Sequence, residues 1–142
     1  MITEDYVSFE TAKLLKEKGF DHICLMWYID SPNTISEKTG KPIPPYFTSL
    51  TDEDGNYYYN TEREAFEYSA PTLQMAMKWL RENYSLHVNI CPAVENGEFT
   101  EYYHCYVDNL KQKYPFGQFI CDSPTYEEGC ESAIKYCLEN LI

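Results

Sequence analysis

SLHVNIC (residues 85–91) and FTEYYHCYV (residues 99–107) are joined through Asn96-Gly97. The first stretch alternates, with Leu86, Val88 and Ile90 on one side and His87, Asn89 and Cys91 on the other, the period of a half-buried strand. Asn-Gly is the strongest short-range hairpin signal, because both central residues of a type I′ turn need positive φ. A turn there predicts Ile90 opposite Tyr103, Val88 opposite Cys105 and Leu86 opposite Val107. Every inward pair is then apolar or aromatic, and a slip of one residue would destroy that agreement. His87 and His104 fall on the outward face in a diagonal relation, roughly 7 Å apart. Such a pair holds zinc only with further ligands. Cys91 lies on the same face, nearer the hairpin tip.

GQFIC (117–121) reads as a third strand, and helices flank the group. Thr72 caps a helix whose Leu73, Ala76, Met77 and Leu80 follow the i, i+3, i+4, i+7 pattern, widened by Met75 and Trp79. Thr125 and Glu128 form a capping box before a helix with Cys130, Ala133, Ile134, Cys137, Leu138 and Leu141 on its apolar face. Upstream, Ser8 caps a first helix that ends at Gly19, with Lys13, Lys16 and Lys18 on its wet side. HICLMWYI (22–29) predicts a buried strand, and residues 30–45, with four prolines (Pro32, Pro42, Pro44, Pro45), a loop. YFTSL (46–50) and NYYYN (56–60) flank Asp54-Gly55 as a second hairpin.

The expected fold is α+β, with antiparallel strands packed against about three helices in the order α-β-β(-β)-α-β-β-β-α. The expected organisation is a single domain over 1–142. A Pro-rich loop and an acidic, Tyr-rich hairpin form an insertion at about 30–67.

The chain has 142 residues, a net charge of −12 and 14 tyrosines. No stretch approaches the ~20 apolar residues of a membrane span. The start, MITEDYVSFE, is acidic where a secretory leader is basic, so the expected location is the cytoplasm. Thiols stay reduced there. The six cysteines include no CxxC and read as small buried hydrophobes. There is no G-x-G-x-x-G, Walker or G-x-S-x-G sequence. The expectation is a non-enzymatic protein without catalytic residues, metal or cofactor.

The order from residue 72 onward imitates a double-stranded-RNA-binding domain. The last helix begins TYEEGCE, however, with no lysine before Lys135. A phosphate backbone would be repelled, so direct nucleic-acid binding is not expected.

Three motifs carry a family resemblance: ITEDYVSFETAKLLKEKGFD (2–21), APTLQMAMKWLREN (70–83) and TYEEGCESAIKYCLENLI (125–142). They resemble a family of small proteins encoded by gut Bacteroides, their prophages and mobile elements, and their phages. The resemblance implies a cytoplasmic mobile-element product and carries over no reaction and no site residues.

The function is therefore sought in the surface. TDEDGNYYYNTEREAFE (51–67) holds six carboxylates and one arginine, −5 of the −12. Asp52, Glu53, Asp54, Tyr57, Tyr58, Tyr59, Glu62 and Glu64 are its candidate partner-binding residues, since exposed aromatics mixed with acids suit an interface. The expected partner is a protein with a basic face, steered by long-range charge. Two alternatives are a DNA mimic that blocks a nucleic-acid-binding protein, and a sponge-like binder of a nucleotide or other small molecule. The sponge would draw on Lys78, Arg81, Lys111 and Lys113.

Overall fold

Three hydroxyl side chains start the three helices seen among the described residues. The Ser8 hydroxyl accepts the Thr11 N–H at 3.3 Å and opens α1 (Phe9–Glu17). Thr72 accepts from Met75 at 3.1 Å and opens α2 (Leu73–Tyr84). Thr125 accepts from Glu128 at 3.1 Å and opens α3 (Tyr126–Asn140). Each satisfies a donor that the first helical turn leaves without a partner. Gly19 ends α1 at φ +88°, a backbone state closed to most side chains, and the Phe20 N–H returns to the Leu15 carbonyl at 2.9 Å.

The computed structural model describes residues 2–31, 34–49, 59–112 and 117–142. They form an α+β chain in the expected order, with two antiparallel three-stranded sheets. The chain divides into two compact units, Ser8–Pro71 and Met1–Val7 with Thr72–Ile142.

In the first unit the sheet order is β2 (Tyr46–Thr48), β1 (Met26–Ile29), β3 (Glu67–Ala70). Two sequence expectations are corrected here. The strand expected over 22–29 covers only Met26–Ile29 and is half-buried, while Ile23 and Leu25 are exposed. β2 pairs with β1, and Asn60–Glu62 form a 3-10 turn where the strand over 56–60 was expected to end. The expected turn at Asp54-Gly55 lies outside the described residues. The strand that completes the sheet is EYSA (67–70), whose mixed composition carries no strand period.

The core of this unit joins Ala12 and Leu15 of α1 to Phe20, Cys24 and Ala70. Its polar centre is Asn60, 2% exposed. The Asn60 amide donates to the Phe20 carbonyl at 2.8 Å and accepts the Ser69 N–H at 2.9 Å. One side chain thus ties the exit of α1, the 3-10 turn and β3 together.

Lys16 is not on the wet side, as the helical pattern suggested. Its Nζ donates to the Glu64 and Glu67 carbonyls at 2.9 and 2.8 Å and lies over the Tyr68 ring at 5.2 Å. Burial pulls its pKa below the usual lysine value. Lys16→Met keeps the packing of the stem but loses both charge-assisted bonds. It is expected to lower stability by about 1–2 kcal/mol in urea denaturation.

The second unit runs α2, β4 (Leu86–Glu95), β5 (Glu98–Asn109), β6 (Gln118–Ser123), α3, with sheet order β4-β5-β6. The turn is Asn96-Gly97, with φ +51° and +79°, as a type I′ turn requires. The register expected from it holds only at the tip, where Glu95 pairs Glu98 and Val94 pairs Phe99. An irregularity follows between Pro92 and Val94, and Pro92 then pairs Tyr103. Ile90 therefore faces Cys105, Val88 faces Val107 and Leu86 faces Asn109, two residues from the expected partners. The extra residues sit at Thr100–Tyr102, where Glu101 adopts φ +67° and the Thr100 hydroxyl donates to the Ala93 carbonyl at 2.8 Å. A shift by two leaves each residue on its expected face.

Leu86, Val88, Cys105 and Val107 are buried with Ala76, Met77 and Leu80 of α2 and Ile134, Cys137 and Leu138 of α3. At Gly129 α3 lies close against the sheet. A Cβ there would lie 2.8 Å from the Cys105 sulfur and 3.4 Å from Ile90 and Ser123 side-chain carbons.

Candidate functional site

With Ile90, Cys105 and Ser123 turned toward α3, strand alternation sends their neighbours to the opposite face of the sheet. Three rows cross that face. Cys91, His104 and Asp122 form one, Asn89, Tyr106 and Phe119 the next, and His87 with Asp108 the third. The face is open: Phe119 is 52% exposed, and the His104 and Asp122 side chains 41% and 55%.

Tyr106 and Phe119 meet edge to face with centroids 5.7 Å apart, and His104 lies 6.3 Å from each. These three rings make an aromatic platform across β5 and β6. The His104 Nδ1 is hydrogen-bonded to the Asp122 carboxylate at 2.5 Å. The Cys91 thiol donates to the Asn89 amide oxygen at 3.3 Å. At Gly117 a Cβ would fall 2.8 Å from the Asp108 carboxylate and 3.3 Å from the Tyr106 Cβ. The missing side chain is what lets both approach the start of β6.

The three strands carry Glu95, Glu98, Glu101, Asp108 and Asp122 and no lysine or arginine. The face therefore joins aromatic rings to carboxylates with no cation in its own strands. That combination suits Lys and Arg side chains, held over ring faces and paired with carboxylates.

Of the residues singled out in the sequence, Asp52, Glu53, Asp54, Tyr57 and Tyr58 lie outside the described residues. Tyr59 is exposed, Glu62 falls in the 3-10 turn, and Glu64 is exposed with its carbonyl accepting from Lys16. Arg63, the only cation of that segment, is turned onto the Trp27 ring at 4.0 Å and donates to the Ser69 hydroxyl at 2.8 Å.

His87 and His104 are not diagonal neighbours, because the shifted register places Asp108 opposite His87 and Cys91 opposite His104. Cys91, His104 and Asp122 are strung along a line at strand spacing, ~5 Å per step. They cannot converge on one ion, and no three His, Cys, Asp or Glu among the described residues are placed to do so. Phe119, Tyr106, Asp108 and Asp122 escaped the sequence reading. Their signal was the i, i+2 spacing of Tyr106 and Asp108 with His104, which becomes a site only once β6 is aligned to β5.

Burial pushes the thiols of Cys24 and Cys130 up to about 11 and those of Cys105 and Cys137 up to about 12. Two cavities of about 60 and 100 Å³ open on this unit, and neither is lined by lysine or arginine. Both fall well short of the ~300 Å³ at which small-molecule pockets begin. No helix among the described residues is long and apolar enough to cross a membrane. Comparison of the chain with protein-family models, curated proteins and solved structures finds no match in any of the three.

Proposed function

We propose that this chain is a non-enzymatic interaction protein that captures a basic segment of a partner protein on an acidic aromatic surface. The observation that carries the proposal is the open face of β4–β5–β6. There Tyr106, Phe119 and His104 lie beside Asp108 and Asp122 in strands without lysine or arginine. An arginine or lysine laid on the platform stacks on the rings and pairs with a carboxylate at the same time. The net charge of −12 speeds the encounter and makes it salt-sensitive. The acidic segment at 52–64 contributes to that net charge. The resemblance to proteins of Bacteroides mobile elements and phages supports a cytoplasmic setting, with the partner supplied by the host or the phage.

The test is titration of the full chain with fluorescent peptides of matched length, one rich in Arg and Lys and one with those residues replaced by Gln. The basic peptide is expected to bind, with affinity falling at least tenfold between about 50 and 500 mM salt. Phe119→Ser combined with Asp122→Asn is expected to weaken it a further tenfold or more while leaving the circular dichroism unchanged. Equal binding of both peptides, or full affinity in that variant, overturns the proposal.

A further inference from the structure

The row Cys91–His104–Asp122 places a thiol, an imidazole and a carboxylate side by side on three adjacent strands, in that order. The Asp122 carboxylate engages Nδ1 of His104. With the ring proton held on Nδ1, Nε2 keeps its lone pair and is the basic atom of the ring. Cys91 is the direct cross-strand partner of His104, and such pairs have Cβ atoms about 4.5–5.5 Å apart. Its thiol is partly exposed and rests on Asn89, so a turn about the Cα–Cβ bond is enough to redirect it.

We propose that Cys91 is a thiol–disulfide exchange site that takes small disulfides, with His104 as its base and Asp122 as the residue that positions the base. The Cys91 proton passes to Nε2 of His104. The thiolate attacks one sulfur of the incoming disulfide and a new S–S bond forms. The old S–S bond breaks, and its electron pair leaves on the second sulfur, which departs as a thiolate. The disulfide is itself the oxidant, so no further reagent is needed, and the product is Cys91 carrying a small thiol.

Cys24, Cys105, Cys130 and Cys137 are buried, and Cys121 points to the other face, opposite Cys105. This leaves Cys91 as the thiol on the open side among the described residues. The titratable groups sharing its face are His87 on β4, His104, Tyr106 and Asp108 on β5, and Asp122 on β6. A mixed disulfide here would sit beside the aromatic platform and obstruct it, although the exchange chemistry does not depend on peptide binding.

The native full chain is mixed with the aromatic disulfide 5,5′-dithiobis(2-nitrobenzoate), and release of the coloured thiolate is followed from pH 5 to 9. One equivalent is expected to react fast, and Cys91→Ser is expected to abolish that phase. His104→Gln is expected to slow it at least tenfold at pH 6–7 and to move the rate–pH midpoint toward that of a free thiol, about 8.5. Asp122→Asn is expected to shift the midpoint in the same direction by a smaller amount. Circular dichroism confirms that each variant is folded. A fast phase that survives Cys91→Ser, or a rate–pH profile unchanged by His104→Gln, overturns the inference. Neither result bears on peptide binding, which is measured separately.

Discussion

Asn60→Ala is expected to lower the stability of the Ser8–Pro71 unit by about 2–4 kcal/mol. The substitution removes two hydrogen bonds at once, one to the Phe20 carbonyl and one to the Ser69 N–H, both on buried residues. Losing hydrogen bonds to buried polar groups costs about 1–3 kcal/mol each, and the small gain from shedding the amide's own desolvation does not cancel that loss. Asn60→Asp separates the two bonds. It keeps an acceptor for Ser69 but, when ionised, turns the donor to Phe20 into a repelled carboxylate oxygen, so it is expected to be at least as damaging at any pH where that carboxyl is charged. Urea denaturation followed by hydrogen exchange over residues 18–22 and 67–70 reads both effects. A loss under about 0.5 kcal/mol for Asn60→Ala would mean that water replaces the side chain and that the knot is not structural.

Gly129→Val is expected to be strongly destabilising in the other unit. Gly129 lies in the first turn of α3, where the helix rests on the sheet, and even a methyl group would come within 2.8 Å of the Cys105 sulfur. Gly129→Ala gains up to about 1 kcal/mol of helix propensity and loses about 1–3 kcal/mol to overpacking, for a net loss of about 1 kcal/mol. Valine adds two more carbons against Ile90 and Ser123 with no propensity gain, and a loss of about 3 kcal/mol or more is expected. Removing the obstructing sulfur supplies the control. Cys105→Ala with Gly129→Ala should cost less than the sum of the two single changes, and strict additivity would show that the sulfur is not the obstacle.

The parts of the fold legible in the sequence were those set by local chemistry. Ser8, Thr72 and Thr125 cap helices in any tertiary context, and Asn96-Gly97 makes the same turn wherever a hairpin needs one. The apolar faces of α2 and α3 followed from spacing except at Met75 and Leu141, which are exposed, and Cys130 and Cys137 are buried on one face as their separation implied. What stayed illegible depends on distant partners. EYSA becomes a strand because β1 offers it an edge, and Asn60 is buried because Phe20 and Ser69 meet it. Neither fact leaves a period in the sequence. The open face was half legible. His104 and Cys91 were assigned outward correctly, but which residues stand beside them hangs on the irregularity between Pro92 and Val94 and on the alignment of β6. The acidic segment was conspicuous in composition, but composition says nothing about which of its side chains converge.

The irregular stretch at Thr100–Tyr102 constrains how this hairpin can change length over generations. Because it adds an even number of residues to β5, deleting two there would straighten the hairpin and return it to a regular ladder without moving any side chain to the wrong face. Deleting one would turn His104, Tyr106 and Asp108 toward α3 and expose Cys105 and Val107 instead. Divergent copies of this chain should therefore gain or lose residues between Phe99 and Tyr103 in pairs. Single-residue changes at that point should appear only where both faces have been rebuilt.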